Sequence, residues 1–123
     1  MKRIILLLIV SLSVLESHPG DTKVWEGVNA FYNYEFNKSV KILEEAKNKF
    51  PTHPSVHFTW AVSKWLQSRA YDGIDKSYIV LSQSLDIIIP IYEKLLKEFP
   101  RNQEIILYSA STHGLKARVH LGK

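Results

Sequence analysis

Residues 39–66 and 88–115 of the chain carry the same pattern 49 positions apart and align without a gap. Glu44 falls on Glu93, Phe50 on Phe99, Pro51 on Pro100, Ala61 on Ala110 and Leu66 on Leu115. Between these identities, Val40/Ile89, Ile42/Ile91, Leu43/Tyr92, Ala46/Leu95, Val56/Ile105 and Phe58/Leu107 stay apolar at helical spacing. A helix, a turn closed by Phe-Pro and a second helix therefore recur. Such a unit leaves an apolar face that only a stacked neighbour covers. The chain is accordingly expected to be all-α, built of antiparallel helix pairs stacked one on the next. No stretch alternates with period two over a useful length, so no strand is expected.

Five helices follow from the spacing and the stop signals. The first spans about 22–33, with Asp21 or Thr22 as N-cap and Val24, Val28 and Phe31 on one stripe, Trp25 and Tyr32 beside it. After a tight connection at Tyr34 and Glu35, the second spans about 37–50 and turns Val40, Leu43, Ala46 and Phe50 inward. Pro51 stops it, because proline lacks the N–H a helix needs and disfavours helix in the residue before it. Pro54 suits the first turn of the third helix, where that N–H is not used. The third helix, about 54–70, is expected to point Phe58, Ala61, Val62, Trp65 and Leu66 inward, with Gly73 ending it. The fourth keeps helical spacing from near Asp75 to Phe99 and reads as one long helix kinked at Pro90, or as two helices broken near Asp86. Asn102 is the expected N-cap of the fifth, which continues beyond Leu115.

The first 17 residues differ in kind. Met1-Lys2-Arg3 is a short basic region, residues 4–15 are almost unbroken apolar, and Ser11, Ser13 and Ser17 offer small residues for cleavage. Residues 1–17 therefore read as a secretory signal peptide, the alternative being an uncleaved anchor; the run is shorter than the ~20 residues of a spanning helix. The remaining domain, 18–123, divides into units at about 21–52, 53–101 and an incomplete 102–123. The chain has no cysteine, which excludes disulfide staples, a thiol nucleophile and a lipidated cysteine. Its net charge of +4, about +3 without Lys2, Arg3 and Glu16, is spread among acids and gives no footprint for nucleic acid. The expected address is the cell envelope or periplasm, with membrane contact only through the leader where it stays attached.

The polar residues form no catalytic or metal-binding pattern. His53 and His57 are four apart, but His53 precedes Pro54 and lies outside the helix. His113 and His120 share a face with Lys116 and Arg118, as on a solvated surface. Glu44, Glu45 and Glu93 sit among lysines on outward faces, where none is desolvated as hydrolysis needs. No serine occupies a strand-turn-helix elbow and no glycine-rich loop is available for phosphate. No catalytic residue, cofactor or metal is therefore assigned, and a non-enzymatic role is expected.

The first unit resembles a tetratricopeptide repeat, with small residues Gly27, Ser39 and Ala46 and the closing Pro51 at the positions that family requires; the second matches at Ala61 and Pro100. It departs by roughly fifteen residues beyond the usual 34, placed at about 71–84. The chain from residue 18 also resembles a group of exported bacterial tetratricopeptide-like proteins in its aromatic third helix, its lengthened fourth and the run from Gly114 to Arg118. The resemblance implies a short right-handed superhelix whose concave side is lined by the first helix of each unit. By that register Val28, Tyr32, Val62, Trp65, Leu66 and Leu115 point into the groove, while Phe31, Phe58 and Trp60 belong to the core. Arg69, Lys116 and Arg118 would select acidic partners. The implied function is capture of a peptide or helix in a concave aromatic groove, as an interaction or scaffold module; the alternative is a solute-binding component of an envelope transport system, which a closed apolar cavity would favour. A fifth helix without a following partner helix is expected to offer a surface for self-association.

Overall fold

The computed structural model describes residues 18–121, so the expected signal segment lies outside the described residues. Five helices make up the described chain: α1 Asp21–Tyr32, α2 Phe36–Lys49, α3 Val56–Asp72, α4 Ile74–Glu98 and α5 Gln103–Leu121. No strand occurs among the described residues. Each helix packs on its neighbours in sequence, and α1 also touches α3. The connections are short, which makes successive helices run antiparallel.

The repeat is visible in the backbone itself. Phe50 ends α2 at φ −125° and ψ 62°, and Phe99 ends α4 at φ −130° and ψ 65°. Their N–H groups donate to Ala46 O (2.7 Å) and Leu95 O (2.8 Å), and three residues on His53 N and Asn102 N donate back to Phe50 O and Phe99 O, both at 3.1 Å. The turns then use matching side chains in related ways. Asn102 Oδ1 accepts from Glu104 N (3.0 Å) and Ile105 N (3.1 Å), which satisfies first-turn donors of α5 that have no helical acceptor, whereas His53 Nδ1 accepts from Ser55 N (3.2 Å), the residue before α3.

Close packing explains the small residues. A Cβ on Gly27 would lie 2.5 Å from Leu43 Cγ, and Leu43 is fully buried. Ser39 sits beneath the same crossing and donates from Oγ to Gly27 O at 2.7 Å, joining α2 to α1. From there one apolar core continues through Ala46, Val56, Ala61, Leu81, Leu85, Ile88, Leu95 and Ile105. Tyr92 is buried within it but not apolar throughout: its hydroxyl accepts from Phe58 N (3.1 Å) and donates to Pro54 O (2.7 Å), which fastens α4 to the start of α3.

The fourth helix is one long helix, as the leading sequence reading has it, and not the alternative break near Asp86; it runs through Pro90. Pro90 and Asp86, whose carbonyl the proline ring displaces, are both exposed, so water can satisfy what the helix loses, while Leu85, Ile88 and Tyr92 hold the inner face. Two other sequence expectations change. The extra residues near 71–84 form no separate insertion, because they lengthen α3 and α4, which are separated by Gly73 alone at φ 91°. The inward face of α3 is also wider than expected. Its buried residues are Val56, His57, Trp60, Ala61, Ser63 and Ser68, because α2 and α4 cover it from two sides; Phe58, Val62, Trp65 and Leu66 are only partly buried.

Candidate binding groove

Helices α1, α3 and α5 start side by side. Asp21, the first residue of α1, accepts from His53 Nε2 at 2.5 Å just before α3 begins. Because Nδ1 of His53 already accepts from Ser55 N, its proton lies on Nε2 and is donated to the carboxylate. Asp21 Oδ2 also accepts from His18 N at 3.0 Å, and the His18 ring meets Glu104 in the first turn of α5 at 2.9 Å. The two imidazoles stand edge to face with centroids 5.8 Å apart. Four polar side chains thus stitch together the beginnings of three helices. The Glu104 carboxylate raises the His18 pKa above its ordinary value, burial opposing it only in part.

Between α1 and α3 runs an open groove of about 1020 Å³ with Tyr108 of α5 at its side. Val24, Val28, Phe31, Phe58 and Val62 give it an apolar floor, and Thr22, Ser55 and Thr59 supply hydroxyls. Trp25 and Tyr32 stand on its α1 edge, 69% and 73% exposed. Aromatic area left in water at a concave edge is the kind of surface that anchors a partner. No Lys or Arg lines the groove.

Three of the sequence-predicted residues come together here: Val28, Tyr32 and Val62. The rest do not. Trp65 is partly buried against the core with its Nε1 unpartnered, and Arg69 lies over its ring at 5.9 Å. Arg69 shares the Val62 stripe two turns further along α3, past the last α3 residue of the groove, because α1 is only 12 residues long and provides no wall there. Lys116 is held within the fold by Asp86 Oδ1 and Ser82 Oγ, each at 2.8 Å, and Arg118 is exposed on α5; Leu66 and Leu115 are partly buried outside the lining. Of the core aromatics, Phe31 and Trp60 are buried as expected, while Phe58 faces the groove.

Trp25 was within reach of sequence reasoning, since Trp25, Val28 and Tyr32 recur at three- and four-residue steps on a second stripe of α1. Tyr108 could have been found through the repeat, as the counterpart of Thr59 49 residues earlier; both line the groove. The Asp21–His53 contact had no local signal. His57 faces away from His53: its Nε2 donates to Pro51 O at 2.7 Å and burial lowers its pKa, so it stays neutral. Among the described residues no three His, Cys, Asp or Glu side chains gather where they would hold a metal ion, and no helix is long and apolar enough to cross a membrane. Neither a family model, nor a curated protein, nor a solved structure matches the chain.

Proposed function

We propose that the chain is an exported, non-enzymatic interaction module, a tetratricopeptide-like right-handed stack that binds a protein segment in the groove of α1 and α3. The 49-residue repeat, the small residues at the α1–α2 crossing and the common starting end of α1, α3 and α5 support the stacking. The basic, apolar and small-residue order of residues 1–17 supports export. The observation that carries the binding function is the open trough itself, with Trp25 and Tyr32 in water along its edge. A small solute is usually enclosed on most of its surface, whereas a trough open along one side suits a chain or a helix laid into it. Apart from Asp21 and His53 at the starting end its walls carry no charge, which favours an apolar and aromatic segment. Acidic character in the partner would be felt at Arg69, just past the groove, and not at Lys116, which Asp86 already neutralises.

Peptides selected from a random display library on the immobilised protein provide the probe. Their affinity should fall at least about tenfold, roughly 1.4 kcal/mol, in a Trp25→Ala, Tyr32→Ala double variant. Both side chains are exposed, so helicity by circular dichroism should be unchanged. A Trp65→Ala, Arg69→Ala variant separates the groove from the surface beyond it. Equal affinity of the selected peptides for wild type and the Trp25/Tyr32 variant refutes the groove as the binding site.

A further inference from the structure

Residue 18 is held by its backbone and its ring together. His18 N donates to Asp21 Oδ2 at 3.0 Å, its carbonyl accepts from Asp21 N at 3.1 Å, and its ring meets Glu104 Oε1 at 2.9 Å. Gly20 makes this return of the chain possible: it sits at φ 95°, and a Cβ there would lie 2.5 Å from Phe50 Cγ. The chain thus doubles back over the first residue of α1 and brings the nitrogen of residue 18 to a carboxylate. Asp21 and Glu104, the charged side chains that His18 meets among the described residues, are both acidic. Lys49, which lines the adjoining hollow, holds its Nζ over the Phe50 ring at 5.5 Å, and the His53 ring stands edge to face with that of His18.

The order of residues 1–17 says what that nitrogen becomes. A cut after Ser11 or Ser13 splits the apolar run of residues 4–15 and leaves a leader shorter than the ~15 residues such segments have. A cut after Ser17 keeps the run whole and makes His18 the first residue of the exported chain. We propose that the leader is cut between Ser17 and His18 during export, before the chain folds, and that the α-ammonium group formed at His18 pairs with Asp21. This inference rests on the export reading given above. Water breaks the Ser17–His18 peptide bond under a leader-cleaving endopeptidase. Its hydroxyl goes to the Ser17 carbonyl carbon, the leader departs as a carboxylate, and both protons end on His18 N.

The donor at 3.0 Å from Asp21 Oδ2 then carries a full positive charge in the place of a neutral amide, which strengthens the contact. An ammonium group there also stands just ahead of α1, whose first turn is the positive end of the helix dipole, so Asp21 is needed to offset it. Because Asp21 accepts from His53 Nε2 as well, the cut reinforces the end at which α1 and α3 are joined. The starting end of the groove is therefore complete only in the processed chain.

Expressed with its own leader in a bacterial host, the full chain should give an envelope protein whose intact mass begins at His18. Acetylation at about pH 6.5, where lysines stay protonated, modifies the α-amino group and restores an uncharged amide at that nitrogen. At about pH 7, acetylation should lower the folding equilibrium constant from urea unfolding about three- to fivefold for wild type. It should not lower that constant for Asp21→Asn, where it instead removes a cation from the start of α1. Comparing the two effects cancels what the substitution does to the His53 contact. Protein that stays inside the cell overturns the export reading and this inference with it. Exported protein that begins at another residue, or keeps its leader, overturns the inference and leaves export standing. So does a chain that begins at His18 but responds to acetylation equally as wild type and as Asp21→Asn.

Discussion

Replacing Tyr92 by Phe removes one oxygen from the core and keeps the ring. That oxygen is fully buried and makes two hydrogen bonds, accepting from Phe58 N and donating to Pro54 O. Burial pushes the phenol well above its ordinary pKa, so it is the neutral hydroxyl that makes them at every pH of interest. Each such bond contributes about 1 kcal/mol net, and its loss leaves a buried donor and a buried acceptor without a partner, so the expected cost is about 2–3 kcal/mol. Phe58 N belongs to the first turn of α3 and has no helical carbonyl to fall back on. For a chain of 123 residues that cost lowers the thermal midpoint by roughly 8–12 °C. Thermal and urea unfolding followed by circular dichroism measure it, with Tyr78→Phe on the exposed side of α4 as a control expected to leave the midpoint unchanged. A Tyr92→Phe midpoint within about 2 °C of wild type would refute the claim that this hydroxyl fastens α4 to α3.

Gly27→Ala should destabilise by about 1–3 kcal/mol, because the new methyl group meets Leu43 at 2.5 Å inside a packed crossing; urea midpoints within a few tenths of a kcal/mol of wild type would contradict the packing. Stability should also fall as pH drops. Burial holds the His57 pKa below its ordinary value, so the unfolded chain takes up that proton first, and the contribution of His57, complete above about pH 6.5, is lost as pH falls below it. His18 acts in the opposite sense: its raised pKa gives stability below about pH 6.5 that is lost as pH rises through the raised value, and its place near the surface keeps the effect small. Urea midpoints from about pH 7.5 to 5.5 should decline more steeply for wild type than for His57→Gln, and parallel slopes would rule out His57 as the source.

The periodic part of the fold was legible because it is written locally. Phe50 with Pro51 and Phe99 with Pro100 mark two turns of the same form, and the structure closes both with the same hydrogen bonds. The facing of α3 was not legible in the same way. Helical spacing shows that a residue lies on an apolar stripe, but α3 has neighbours on two sides, and its own residues do not say which stripe meets which neighbour. Val28, Tyr32 and Val62 were placed at the groove by the register that the repeat resemblance implies, and they line it. Trp65 and Arg69 were misplaced because the extent of the wall is set by where α1 ends, a property of another segment. Lys116 was misread for a similar reason: its carboxylate partner, Asp86, is 30 residues away in sequence and meets it only once α4 and α5 have packed.

The polar stitching at the starts of α1, α3 and α5 has a mechanical consequence. Contacts from His18 to Glu104 and from His53 to Asp21 hold these rods at one extremity, and among the described residues no hydrogen bond joins the three at their opposite extremities. The trough is thus pinned by polar contacts at one extremity, while along the rest of its length α1 and α3 keep their spacing through their shared packing on α2.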